Sequence, residues 1–168
     1  MAVAAKITHG MRVSEEIASG GTAVPSTAKA LIHDQYNTEV ILSTGSTPAV
    51  SATASFLVTL SSGAATIDLT ALTGLNSATV NGTNLQVRAI KFRSPSSNAN
   101  VITVKKGASN GYQIGMADGA NAFNVSIPPG GDFSCYLAAN GVVISSSAKT
   151  LDVSGTGSQT LECQVVMG

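Results

Sequence analysis

An all-β fold is what this sequence predicts: an antiparallel β-sandwich or jelly roll over residues 31–168, preceded by an extended N-terminal arm over residues 1–30. Three observations point there. Apolar and polar residues alternate in short runs bounded by Gly, Pro, Asn or Ser, the pattern of strands with one buried face. No stretch supports a helix longer than a turn or two. Charged residues make up only 11% of the chain, where about 25% is usual, and Ser, Thr, Asn and Gly take their place. That mix suits many short strands joined by turns.

The arm comes first. It is rich in Ala, Gly, Ser and Thr and holds Arg12, Glu15 and Glu16. Ser14 followed by Glu15-Glu16-Ile17-Ala18 predicts the start of a helical turn, which Gly20-Gly21 and Pro25 keep short. Two readings stand: a loose terminus, or an arm that orders against a neighbouring subunit. MAVAAKITHG has no charged head followed by an apolar core, so no secretory signal is read there. No apolar run approaches the ~20 residues of a membrane helix.

The first body strand is Thr38–Ser43, followed by the turn-rich TGSTPAVSAT. Ala54–Ser61 comes next, with Phe56, Val58 and Leu60 on one face, and then Ala65–Leu69 after a Ser-Ser-Gly turn. The connection TALTGLNSATVNGTN carries one short strand near Ala78–Val80. The dipeptides Asn81-Gly82, Asn110-Gly111 and Asn140-Gly141 read as tight turns.

The central stretch, Leu85–Leu137, organises the rest. Leu85, Val87 and Ala89 share a face, after which Ile90 and Phe92 take over with Lys91 and Arg93 opposite. Side chains alternate with period two, so this phase change predicts a bulge near Ala89-Ile90 or burial on both faces. Phe123, Val125 and Ile127 alternate cleanly, as do Phe133, Cys135 and Leu137. Val142–Ser145 and Thr150–Val153 read as a further pair. The last strand is Ser158–Met167, with Leu161, Cys163 and Val165 on one side. About eight to ten short strands result.

Groups for chemistry are few. His9 and His33 are the two histidines, one in the arm and one just before the first body strand. Neighbours on an extended chain point apart, so His33-Asp34 is no dyad, and two solvated histidines are the plain reading. Asp68, Asp118, Asp132, Asp152 and Glu162 sit at strand ends or in turns, where Asp commonly bonds its own backbone. Spacing alone does not exclude a glycosidase pair among them. Tryptophan is absent and aromatics are 4%, so no stacking platform for sugars or bases is evident. Arg88, Lys91 and Arg93, with Lys105-Lys106, read as charges along a sheet edge, where they deter stray pairing. The glycine runs lack the strand–loop–helix setting of a phosphate loop. Cys135 and Cys163 fall on apolar faces; a buried reduced pair and a disulfide between adjacent strands both remain open. We therefore expect no enzyme: no catalytic residues, no metal ligands and no cofactor site. A formal net charge of +0 gives no electrostatic footprint for nucleic acid and no basic face for a membrane. It also argues against a solitary protein, because charge is what keeps isolated domains apart.

The run ATIDLTALTG, then LQVRAIKFRSPSSNANVITVKKGASNGYQIGM, FNVSIPPGGDFSCYL and the closing LDVSGTGSQTLECQVVMG resemble small structural proteins of tailed bacteriophages. The resemblance covers Ala54 to Gly168, carries turn and strand patterns but no catalytic signature, and leaves the arm untouched. It implies a virion component, with a capsid decoration or cement protein as the first expectation. Such a protein would sit on the major capsid protein lattice at the surface of the virion, after synthesis in the host bacterial cytoplasm, and a homotrimer is its implied state. A tail, baseplate or fibre component is the alternative, and a carbohydrate-binding jelly-roll module is the third. For the first, the contact residues expected are the arm and the loops Ser94–Asn100 and Gly107–Gly119.

Overall fold

Alternating sequences that bury one face must find a second sheet to bury it against, and here two four-stranded sheets do so. The structure, a computed structural model, describes residues 3–16, 30–34, 36–115, 122–138 and 141–168. Two compact units result, one running from Leu42 to Gly168 together with the residues before Lys6, the other from Lys6 to Ile41. No helix occurs among the described residues, and none therefore is long and apolar enough to cross a membrane.

The larger unit is built on eight strands: β5 (Ala52–Thr59), β6 (Ala64–Asp68), β9 (Val87–Arg93), β10 (Ile102–Lys106), β11 (Asn124–Ile127), β12 (Asp132–Tyr136), β13 (Thr150–Ser154) and β14 (Thr160–Met167). One sheet has the order β12-β9-β14-β5 and the other β11-β10-β13-β6, every pair antiparallel. The order follows from one long hairpin. β10 turns back into β11, and every earlier strand pairs with its mirror image in the second half: β9 with β12, β6 with β13, β5 with β14. Rolling that hairpin up adds the contacts β14–β9 and β13–β10. This is the jelly-roll topology, so the fold class read from the sequence holds. A two-residue ribbon, β7 (Leu72–Thr73) with β8 (Thr79–Val80), decorates the link from β6 to β9.

The core between the sheets is the inward set that alternation predicted. Phe92, Val104, Ile127, Leu151, Val153, Leu161, Cys163 and Val165 are all buried in one cluster, with Val125, Phe133 and Cys135 packed against it. The phase change on β9 is real and falls one residue earlier than expected. Val87 pairs with Met167 and Ala89 with Val166, so Arg88 stands unopposed as the bulge residue. Beyond it Ala89 and Ile90 are both buried although they point to opposite faces.

Three expectations are corrected. Val142–Ser145 and Thr150–Val153 do not pair with each other: Val143 bridges to Gln86, Ser145 to Ala148, and β13 inserts between β10 and β6. Lys91, Arg93, Lys105 and Lys106 are not edge charges, because β9 and β10 are each flanked on both sides. Ser14–Glu16 do not start a helical turn. They lie in β2 (Val13–Glu16), paired in register with β3 (Ala30–His33); cross-strand pairing outweighs a weak local helix signal.

The smaller unit is a ribbon. Besides β2 and β3 it holds most of β1 (Ala4–His9), which runs beside β4 (Thr38–Ser43), with Lys6 bridging Glu39 at 2.8 Å.

Candidate interaction surfaces

Asp68, Asp132, Asp152 and Glu162 each hold a hydrogen-bond or ion-pair partner. Asp68 accepts from Lys149 Nζ at 2.7 Å and from the backbone and hydroxyl of Thr70. Burial by itself would raise its carboxyl, but those hydrogen bonds and the Lys149 charge outweigh it and hold it below the usual carboxylate range. Asp152 accepts from Thr66 and from the backbone of Ala108. Asp132 lies 3.6 Å from Lys91, and Glu162 lies 3.1 Å from Arg93. These last four form a charged ladder on the outer face of the β12-β9-β14-β5 sheet, beside a shallow 300 Å³ cleft lined by Ser55, Cys163 and Gln164 among others. Asp118 lies outside the described residues. No group of three or more His, Cys, Asp or Glu converges among the described residues. His9 lines a 370 Å³ cleft of the ribbon unit with Met11, Asp34 and Tyr36, and His33 stands in β3 opposite Val13.

Topology decides the cysteine question. Cys135 and Cys163 lie on β12 and β14, opposite Ile90 and Phe92, with β9 between them. Two strand spacings put them about 9–10 Å apart, beyond the ~7 Å reach of a disulfide, and both are free. Burial pushes the Cys163 thiol up to about 12 and raises that of Cys135 as well, which disfavours the thiolate at both positions.

The two loops expected to make contacts each carry buried anchors beside exposed residues. In Ser94–Asn100, Ser94 and Asn98 are buried, and Asn98 bonds Ser94 Oγ, Thr160 O and Thr160 N at 2.9, 2.7 and 3.1 Å. Ser96, Ser97 and Ala99 remain at its exposed rim. In Gly107–Gly119, Tyr112 and Ile114 are fully buried; Tyr112 Oη donates to Val142 O at 2.6 Å and accepts from Val87 N at 3.1 Å. The alternation Tyr112-x-Ile114 is the sequence sign of this burial. Residues 116–121 lie outside the described set.

Exposed apolar surface gathers elsewhere. Met11, Val13, Ile32, Tyr36 and Ile41 all belong to the ribbon unit, and Tyr36 is 95% exposed. Within Lys6–Ile41 none of the residues whose burial is described is buried. On the larger unit, Leu57, Leu75, Val101 and Val143 are the large apolar residues left exposed. Compared with protein-family models, curated proteins and solved structures, the chain matches none.

Proposed function

We propose that this chain is a non-enzymatic structural protein of a phage virion, a decoration protein that binds the assembled capsid lattice and stabilises it. One observation carries the reading: beside a jelly roll with its own core, the unit Lys6–Ile41 exposes Met11, Val13, Ile32, Tyr36 and Ile41, and none of its residues whose burial is described is buried. A two-stranded pairing is marginal in water by itself, and Met11, Val13 and Tyr36 line one cleft, the kind of gathered apolar exposure that marks an interaction surface. The resemblance of Ala54–Gly168 to phage structural proteins supplies the setting. The sparse charge of the chain supports life in a crowded lattice. Binding the assembled lattice in preference to free subunits stabilises it by mass action, and many identical contacts add through multivalency.

The test mixes purified protein with isolated phage heads and images them by cryo-electron microscopy. Density at repeated lattice positions is the expected result. A doubly substituted chain, Met11→Ser with Tyr36→Ser, should lower occupancy at least about tenfold, because a buried aromatic and a buried Met each contribute roughly 2 kcal/mol. Its melting temperature should be unchanged. Bare heads with the wild-type protein on tails would move the chain to the tail, and equal occupancy of the variant would remove the ribbon from the contact.

A further inference from the structure

Edge strands offer unpaired backbone groups to any passing strand, and proteins usually blunt them with charge, proline or brevity. Three of the four edges here are blunted in that way. β12 opens with Asp132, β11 runs directly into Pro128-Pro129, and β6 ends at Asp68. The fourth, β5, is different. Its eight residues, ATASFLVT, contain no charge, no proline and no glycine. That is the composition of a segment that pairs with its own kind.

The direction of its free groups can be read from its ladder. Leu60 N donates to Gln159 O at 2.8 Å, so in the β5–β14 register the even-numbered residues of β5 bond β14. Antiparallel pairs alternate, so Ser55, Leu57 and Thr59 aim their N–H and C=O at the open side, where no strand of the described chain pairs with them. Leu57 also exposes 61% of its surface on the outer face, while Phe56 and Val58, pointing inward, are covered only in part. The β7–β8 ribbon packs near β5 without pairing with it, and Leu57 stays exposed.

We infer that β5 is a self-association edge, and that a second copy of this chain pairs with it antiparallel about a two-fold axis at Leu57. The register is self-complementary. Leu57 faces its own copy, Phe56 faces the copy's Val58, an aromatic–β-branched pair, and Ser55 faces the copy's Thr59, a hydroxyl pair. Inward residues meet inward ones and outward meet outward, as the pleat requires. The outward-aimed N–H and C=O groups of Ser55, Leu57 and Thr59 are those an antiparallel partner in this register needs. With no charge on the strand, nothing repels the second copy. The two β12-β9-β14-β5 sheets join into one of eight strands, and the contact is isologous. It sets a two-fold in place of the threefold implied by the family resemblance, and it stands apart from the capsid reading.

The experiment is sedimentation equilibrium of the full chain, paired with hydrogen exchange read amide by amide. The expected mass is twice the 16.8 kDa of one chain, and Leu57→Lys should weaken the dimer at least about tenfold by placing two ammonium groups face to face. Leu75→Lys, at an apolar residue 88% exposed on the β7–β8 tip, should leave the mass unchanged. Amides of Ser55, Leu57 and Thr59 should be protected in the wild type and lose protection on dilution, a readout that requires no variant. A monomer or trimer, a Leu57→Lys chain that dimerises as before, or edge amides that exchange freely at every concentration would each overturn the assignment.

Discussion

At one end of the sandwich four short turns lean on each other through hydrogen bonds; at the other, three long loops fold inward and fill the gap with apolar side chains. The short end joins β5 to β6, β9 to β10, β11 to β12 and β13 to β14. Across it Gly63 N donates to Gly157 O and Gly63 O accepts from Gly155 N, while Ser94 N donates to Gly131 O and Ser94 O accepts from Gly130 N. Gly63 has φ +81°, and a Cβ there would come within 2.6 Å of Gly155 O, so these turns touch backbone to backbone. The three buried polar side chains among the described residues, Ser94, Asn98 and Gln159, all sit here. The long end holds Tyr112, Ile114, Phe123, Leu137, Ile144, Leu69 and Leu72, all buried. Connection length explains the contrast. A turn of a few residues cannot bring a large side chain back over the core, so it must satisfy its own backbone with Asn and Gln amides. A long loop can return an apolar side chain, and does.

Tyr112 gives the largest expected effect. Tyr112→Ala should cost about 3–5 kcal/mol by cavity formation and two stranded partners, whereas Tyr112→Phe should cost about 1–2 kcal/mol, the hydroxyl's share; both are read from denaturant unfolding. If the Phe variant is as unstable as the Ala variant, the long end is not an apolar plug. Next comes Asn98→Ala at the short end, expected to cost about 2 kcal/mol because Thr160 N and O lose their partner. Combined with Tyr112→Phe it should add within about 0.5 kcal/mol, since the two sites lie at opposite ends; strong coupling would mean that the ends are not independently closed.

Asp68→Asn is smaller, about 1 kcal/mol at neutral pH. Its signature is in acid. Asp68 has a depressed folded pKa, so its contribution is whole above the ordinary value of about 4 and is lost as pH falls through the lower folded one. The variant's stability should therefore fall less steeply than the wild type's below about pH 4 in a pH series of melts. Arg93→Ala should be the smallest, within about 0.5 kcal/mol, because its ion pair with Glu162 is largely solvated.

Much of this was legible in the chain. Thr38–Ser43 is a strand to the residue, and Phe123, Val125 and Ile127 face inward as their spacing said. Burial of one face leaves a period-two trace that survives in any sheet. Strand order leaves none, since Thr53 reaches Val165 across 112 residues and nothing local marks the pair. Burial of a turn residue leaves no local trace for a related reason. Asn98 and Asn110 look alike as turn residues, but Asn98 is buried with its side chain bonded to β14, whereas Asn110 is exposed and meets β13 through its carbonyl. The edge at β5 left a mark in composition alone, the absence of any charge, and an absence is noticed only once the topology shows that the strand is an edge.

The mirror pairing of the hairpin also sets an order of synthesis. β14 sits between β5 and β9, so the sheet has no centre until Thr160–Met167 leaves the ribosome. At translation speeds of about 5–20 residues per second, β5 waits roughly ten seconds with both of its edges bare. A strand with an uncharged edge is thus made long before its partner β14, and crowded polysomes are where it meets its own copies.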